Sequence, residues 1–280
     1  MRVLAASIVL SLFVPTAAQA FCRTTTEREP NGYDPSRSGC FTTGTALAWH
    51  GSNVAYVVDS AASTQVSLAD ARATFAAAFA KWSAASCSAK DATKHPNISV
   101  KDNGTIASAA MDCGLVECDP TVHDTTHAIV FRDDAWPHND PNNTLALTTV
   151  TFGVNSGEIF DADMEINTHD HFITTKMPTP SSSFDLETIV THEAGHFIGL
   201  AHSDDASAVM FVRYQSGRDR LTADDELGVC TVYPPGSASS TKAGCACDAA
   251  GGGSGAPALA FGALVVVALR RRRRANLRSG

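Results

Sequence analysis

The sequence predicts an α+β fold: a twisted mixed sheet, one helix across it, a second helix carrying the chemistry and a third near the end. Three observations support this. The chain has 280 residues, 44% hydrophobic and 18% charged, enough to bury a core of ordinary domain size. Its hydrophobic pattern runs strand, helix, several strands and then helices, the order of an α+β domain. The two best helical segments each carry an apolar stripe at three-to-four spacing.

Taken in order, residues 54–59 read as a strand. Ser67 opens a helix with Asp70 three residues on, a capping arrangement, and Leu68, Ala71, Phe75, Phe79 and Trp82 form its buried stripe. Residues 98–101 and 127–131 read as short strands. Residues 145–152 and 159–166, joined through the turn Asn155-Ser156-Gly157, read as a hairpin-like pair. Residues 184–197 read as a helix capped by Ser183 or Asp185, with Leu186, Val190, Ala194 and Phe197 toward the core. These elements fill one domain, residues 46–236, preceded by an irregular segment at 21–45.

The net charge of −8 is uneven. Seven arginines lie in the two end segments, and without them 14 basic residues face 29 acidic ones, a balance of −15 that excludes nucleic acid as a partner. Residues 1–20 have the basic start, apolar centre and Ala18-Gln19-Ala20 ending of a secretory signal peptide. A linker at 237–248 contains Gly244-Cys245-Ala246-Cys247. Residues 249–280 read as a hydrophobic helix followed by the cluster Arg270 to Arg274, a tail expected to engage the membrane with its arginines on the cytoplasmic side. Both ends predict export. Six cysteines, Cys22, Cys40, Cys87, Cys113, Cys118 and Cys230, precede this tail; disulfides are expected, in any of 15 pairings.

Residues 192–202 read His192-Glu193-Ala194-Gly195-His196-Phe197-Ile198-Gly199-Leu200-Ala201-His202. On a helix His192 and His196 are neighbours, spaced for two zinc bonds of about 2.0 Å. Gly199 permits the left-handed exit that brings His202 round as a third ligand. Three imidazoles leave a fourth position open, the arrangement of a catalytic rather than a structural zinc site. Glu193, beside one ligand, is placed to act as general base. Asp161, Asp163 and Glu165 alternate along one strand and present a row of oxygens suited to calcium, or a solvated strand edge. His123, His127, His138, His169 and His171 have no specific ligand spacing and read as solvated or hydrogen-bonded histidines.

This motif resembles that of the metzincin metallopeptidases, a zincin fold, and the resemblance implies zinc-dependent peptide hydrolysis. Met210, eight residues past His202, sits where those proteins have a methionine turn below the metal. Ser203, Tyr214 and the stretch Leu221 to Gly228 are similar to the matrixin branch, which contains the matrix metalloproteinases. That branch typically has a prodomain with a Pro-Arg-Cys-Gly sequence, and none occurs in residues 21–45. The Cys245, Cys247, hydrophobic-helix and arginine order resembles the C-terminal sorting tag of myxobacterial exported proteins, which implies delivery to the cell surface with removal of the tail.

The expectation is therefore an exported zinc endopeptidase acting on protein or peptide substrates along the strand at 147–152. A zinc-binding adhesion module without hydrolysis, or a zinc amidase acting on cell-wall peptides, are the alternatives.

Overall fold

The computed structural model describes residues 21–30, 32–107 and 126–236, together with the backbone of 265–270. The signal peptide, Cys113, Cys118, His123, Cys245, Cys247 and the remainder of the tail lie outside the described residues.

In chain order the elements are β1 (Cys22–Arg23), α1 (Pro35–Ser38), β2 (Asn53–Asp59), α2 (Leu68–Ser83), β3 (Ser99–Ile106), β4 (Ala128–Phe131), β5 (Thr144–Phe152), β6 (Ile159–Ile166), β7 (Ile173–Thr174), β8 (Phe184–Asp185), α3 (Leu186–Phe197), β9 (Leu200–Ala201), α4 (Ala223–Val232) and β10 (Val265–Arg270). The main sheet has the order β10-β5-β6-β4-β2-β3. From β6 through β3 the neighbours are parallel, whereas β5 runs antiparallel to both β6 and β10. This is the α+β mixed sheet that the sequence predicts.

Local chemistry explains the elements. Ser67 caps α2 by accepting from the Asp70 amide, and Ala71, Phe75, Phe79 and Trp82 are the buried stripe. Phe79 stacks on Tyr56 of β2 with centroids 4.9 Å apart and meets Phe197 of α3 edge-on at 5.0 Å, so one ring joins sheet and both helices. Trp82 donates Nε1–H to the Thr191 carbonyl, which fixes α2 against α3. Asp185, not Ser183, caps α3 by accepting from the Thr188 amide. α3 is buried on every side instead of along one stripe, because α2, β5 and β6 all pack on it.

Three expectations change. The irregular lead-in contributes β1, which pairs antiparallel with β9, so Cys22 lies opposite Ala201, next to His202. The strand at 147–152 is not an edge in the structure, because β10 pairs with it from Val265↔Val150 to Arg270↔Thr144. Residues 265–270 were expected inside a hydrophobic helix and are a strand: their run of three valines suits β-structure better than helix. Among the described residues no helix is long and apolar enough to cross a membrane.

Cys22 is bonded to Cys40 and Cys87 to Cys230, choosing two of the pairings that the sequence left open. Neither Cys22 nor Cys40 is then a thiolate available to a metal.

Candidate active site

α3 delivers His192, Glu193 and His196 to the centre of the molecule, all at most 2% exposed. After the cap residue Ile198 the chain turns at Gly199 with φ +90°; a Cβ there would lie 2.7 Å from the Leu47 carbonyl oxygen, so only glycine fits. β9 then carries the chain to His202. The left-handed exit predicted from sequence is present.

The three rings close on one another, with centroid distances of 4.7 Å for His192–His196, 5.2 Å for His192–His202 and 4.9 Å for His196–His202. Their ligand atoms all lie within 4.8 Å of each other. The hydrogen bonds fix which nitrogens those are. His192 Nδ1 is 2.7 Å from the Val209 carbonyl and His196 Nδ1 is 2.8 Å from the Leu200 carbonyl. A carbonyl only accepts, so both Nδ1 atoms carry the proton and both Nε2 atoms present lone pairs. Those two Nε2 atoms are 3.0 Å apart. Two bare lone pairs at that distance repel, and a cation between them converts the repulsion into two bonds; tetrahedral zinc holds imidazole nitrogens about 3.3 Å apart. Burial pushes the His192 pKa down to about 4 and that of His196 well below the ordinary value, which keeps both rings in the neutral form that binds a metal. The donor set fits zinc. Backbone carbonyls orient the rings from behind, as expected of a metal-ligating histidine.

Met210 is 2% exposed. A Cβ on Gly195 would lie 2.2 Å from Met210 Sδ and 2.9 Å from the Trp82 ring, so the glycine inside the motif is required by close packing of methionine and tryptophan beneath α3. Asp225 holds this loop: its carboxylate accepts from the amides of Val209 and Met210 and closes a capping box with Thr222 at the start of α4. Ser203 donates its amide to the Met210 carbonyl and its hydroxyl to Asp224. Tyr214 does not turn its oxygen to the histidines; its hydroxyl accepts from the Asp185 amide at the head of α3.

Sequence reasoning missed Thr148. Its Oγ1 donates to Glu193 Oε2 at 2.7 Å, from β5 into α3, with both residues fully buried. No local pattern reveals a contact across 45 positions. Asp225 lies in the stretch Leu221 to Gly228 singled out from sequence, but its grip on the amides of Val209 and Met210 has no local signature.

The acidic row on β6 has protein partners. Asp161 meets His127 Nδ1 at 2.5 Å, Asp163 accepts from the Ala128 amide, and Glu165 pairs with Arg132 and with His138 Nε2. One guanidinium, two imidazoles and an amide thus answer the carboxylates for which calcium was considered. His171 Nε2 bonds the Pro141 carbonyl and His169 pairs with Asp170, so the described extra histidines are hydrogen-bonded residues, as expected.

Residues 124–234 match the Matrixin family model. Matrilysin of Homo sapiens is 33% identical over 114 residues, covering 39% of this chain and 39% of that protein. Metalloendoproteinase 1 of Glycine max is 32% identical over 107 residues, 36% of this chain and 32% of its own length. Metalloendoproteinase 1-MMP of Arabidopsis thaliana is 47% identical over 53 residues, 18% of this chain and 15% of that protein. The matched stretch thus spans well under half the length of these relatives.

Proposed function

We propose that this chain, whose residues 124–234 match the Matrixin family model, carries a matrix metalloproteinase-like catalytic domain and is an exported zinc endopeptidase that cleaves protein or peptide substrates. The observation that carries this reading is the pair of Nε2 lone pairs 3.0 Å apart, closed by His202 and flanked on the same helix by a buried carboxylate.

His192, His196 and His202 would hold the metal. Bound zinc supplies a Lewis acid that polarises the scissile carbonyl and lowers the pKa of water. Glu193 takes the proton from the attacking water as the new C–O bond forms. It returns that proton to the amine as the C–N bond breaks, which balances hydrolysis without a net change at the carboxylate. Glu193, His192 and His196 are at most 2% exposed, and such burial strengthens these electrostatic effects. Met210 and Gly199 are structural parts of the site: one supports the rings from below, the other permits the turn to His202.

Residues 1–20 are assigned to export, and Cys245 and Cys247 to sorting of the tail. An extended peptide that pairs with β5 gains main-chain hydrogen bonds, with selectivity left to side-chain pockets. Because β10 holds that strand in the structure, such pairing requires Val265–Arg270 to leave it. Calcium has no separate role in this reading.

Incubation of the purified chain with casein and with peptidoglycan, each with and without a chelator, tests it. Chelator-sensitive cleavage of casein is the expected result. Cleavage of peptidoglycan alone favours an amidase, and zinc bound with no cleavage of either favours an adhesion module.

A further inference from the structure

Along β5 the side chains of Ala146, Thr148 and Val150 share one face by strand alternation, and all three are at most 1% exposed. The row is apolar except at Thr148. A buried hydroxyl is costly unless it is bonded, and valine would fill the same volume without that cost. The hydroxyl is answered by α3: Oγ1 lies 2.7 Å from Glu193 Oε2 and 3.3 Å from the Glu193 carbonyl oxygen. Thr148 is itself rigid, being β-branched, on a strand, and paired opposite Met164 of β6.

We propose that Thr148 is a positioning residue for the general base, giving the two oxygens of Glu193 different tasks: Oε2 is held by the threonine hydroxyl and Oε1 is the oxygen that accepts and returns the proton. A glutamate has three rotatable bonds, and each misdirected rotamer removes the base from the reaction. One charge-assisted hydrogen bond from a stiff donor removes that freedom before substrate arrives. The inference rests on the peptidase reading.

The test is kcat and KM on a peptide substrate for the full chain with Thr148→Val and Thr148→Ser, with zinc content and thermal midpoint measured on the same samples. Thr148→Val, which keeps the shape and loses the donor, is expected to lower kcat about 10- to 100-fold with KM within about twofold and zinc content unchanged. Thr148→Ser, which keeps the donor, is expected to recover most of that loss. On a Glu193→Ala background Thr148→Val should lower the residual rate no further, because the base it positions is gone. An unchanged kcat in Thr148→Val, equal losses in the valine and serine variants, or an effect that persists without Glu193 would overturn the inference. If Thr148→Val does not fold, Thr148→Ala, also without a donor but with no added bulk, is compared with the serine variant by the same criteria. A wild-type chain that cleaves nothing sinks the peptidase reading instead, whereas an active wild type with a fully active valine variant sinks only the role of Thr148.

Discussion

Glu165 and Glu193 are both almost completely buried, yet their surroundings assign them opposite tasks. Glu165, on β6, is pinned between the Arg132 guanidinium and His138. A carboxylate held by a guanidinium on one side and an imidazole on the other is part of the framework, and removing it leaves Arg132 without its counter-ion. Glu193, on α3, accepts from the hydroxyl of Thr148 and stands next in sequence to His192, whose Nε2 lies 3.0 Å from that of His196. A neutral hydroxyl orients this carboxylate without pairing it to a cation. Burial alone does not distinguish a structural acid from a chemical one; the charge of its partners does.

The largest effect that could break this comparison is on activity. Glu193→Ala is expected to lower the cleavage rate about 10²- to 10⁴-fold, the range for loss of a general base, with zinc and the thermal midpoint retained; cleavage assays, metal analysis and calorimetry on one preparation decide it. Glu165→Ala should do the reverse, costing about 3 kcal/mol of stability in denaturant unfolding while kcat per folded molecule stays near wild type. A severe loss of kcat in the folded Glu165 variant would merge the two classes. Asp225→Asn sharpens the distinction, because this carboxylate accepts from the amides of Val209 and Met210 without touching the site itself. About 2 kcal/mol of destabilisation is expected, read as a lowered urea midpoint, with only a modest loss of kcat. The smallest effect belongs to Arg72→Ala, which breaks a bidentate but solvent-facing pair with Asp102; the urea midpoint should fall only slightly, and less still at high salt.

The parts of the molecule legible in the sequence are those governed by local rules. The His192, His196 and His202 spacing encodes a helix, a left-handed exit at Gly199 and a convergent triad, and all three are present. The Ser67 cap, the α2 stripe and the antiparallel β5–β6 pair follow from periods of 3.6 and 2. What stayed hidden depends on chain segments far apart. Thr148 reaches Glu193 only once β5 lies on α3. The row Asp161, Asp163 and Glu165 shows three acids on one face of a strand, but a periodic pattern cannot say whether calcium or the side chains near β4 will answer them. The strand β1 is two residues long, below the length at which alternation carries any signal, and it exists because β9 offers it a partner. The valine run of β10 lies inside a longer uncharged stretch, where hydrophobicity indicates burial but not the type of element.

The bridge between Cys87 and Cys230 spans 143 positions, and the loop it closes contains β3 through most of α4, hence His192, Glu193, His196, His202, Thr148 and Met210. Closing a loop of that length removes enough freedom from the unfolded chain to stabilise the fold by about 5 kcal/mol, as much as the entire net stability of many domains. That contribution arises only where thiols are oxidised. The same polypeptide in a reducing compartment would therefore keep its sequence motif but lose much of the free-energy margin that holds its three imidazoles together, which ties the durability of that cluster to where the chain resides.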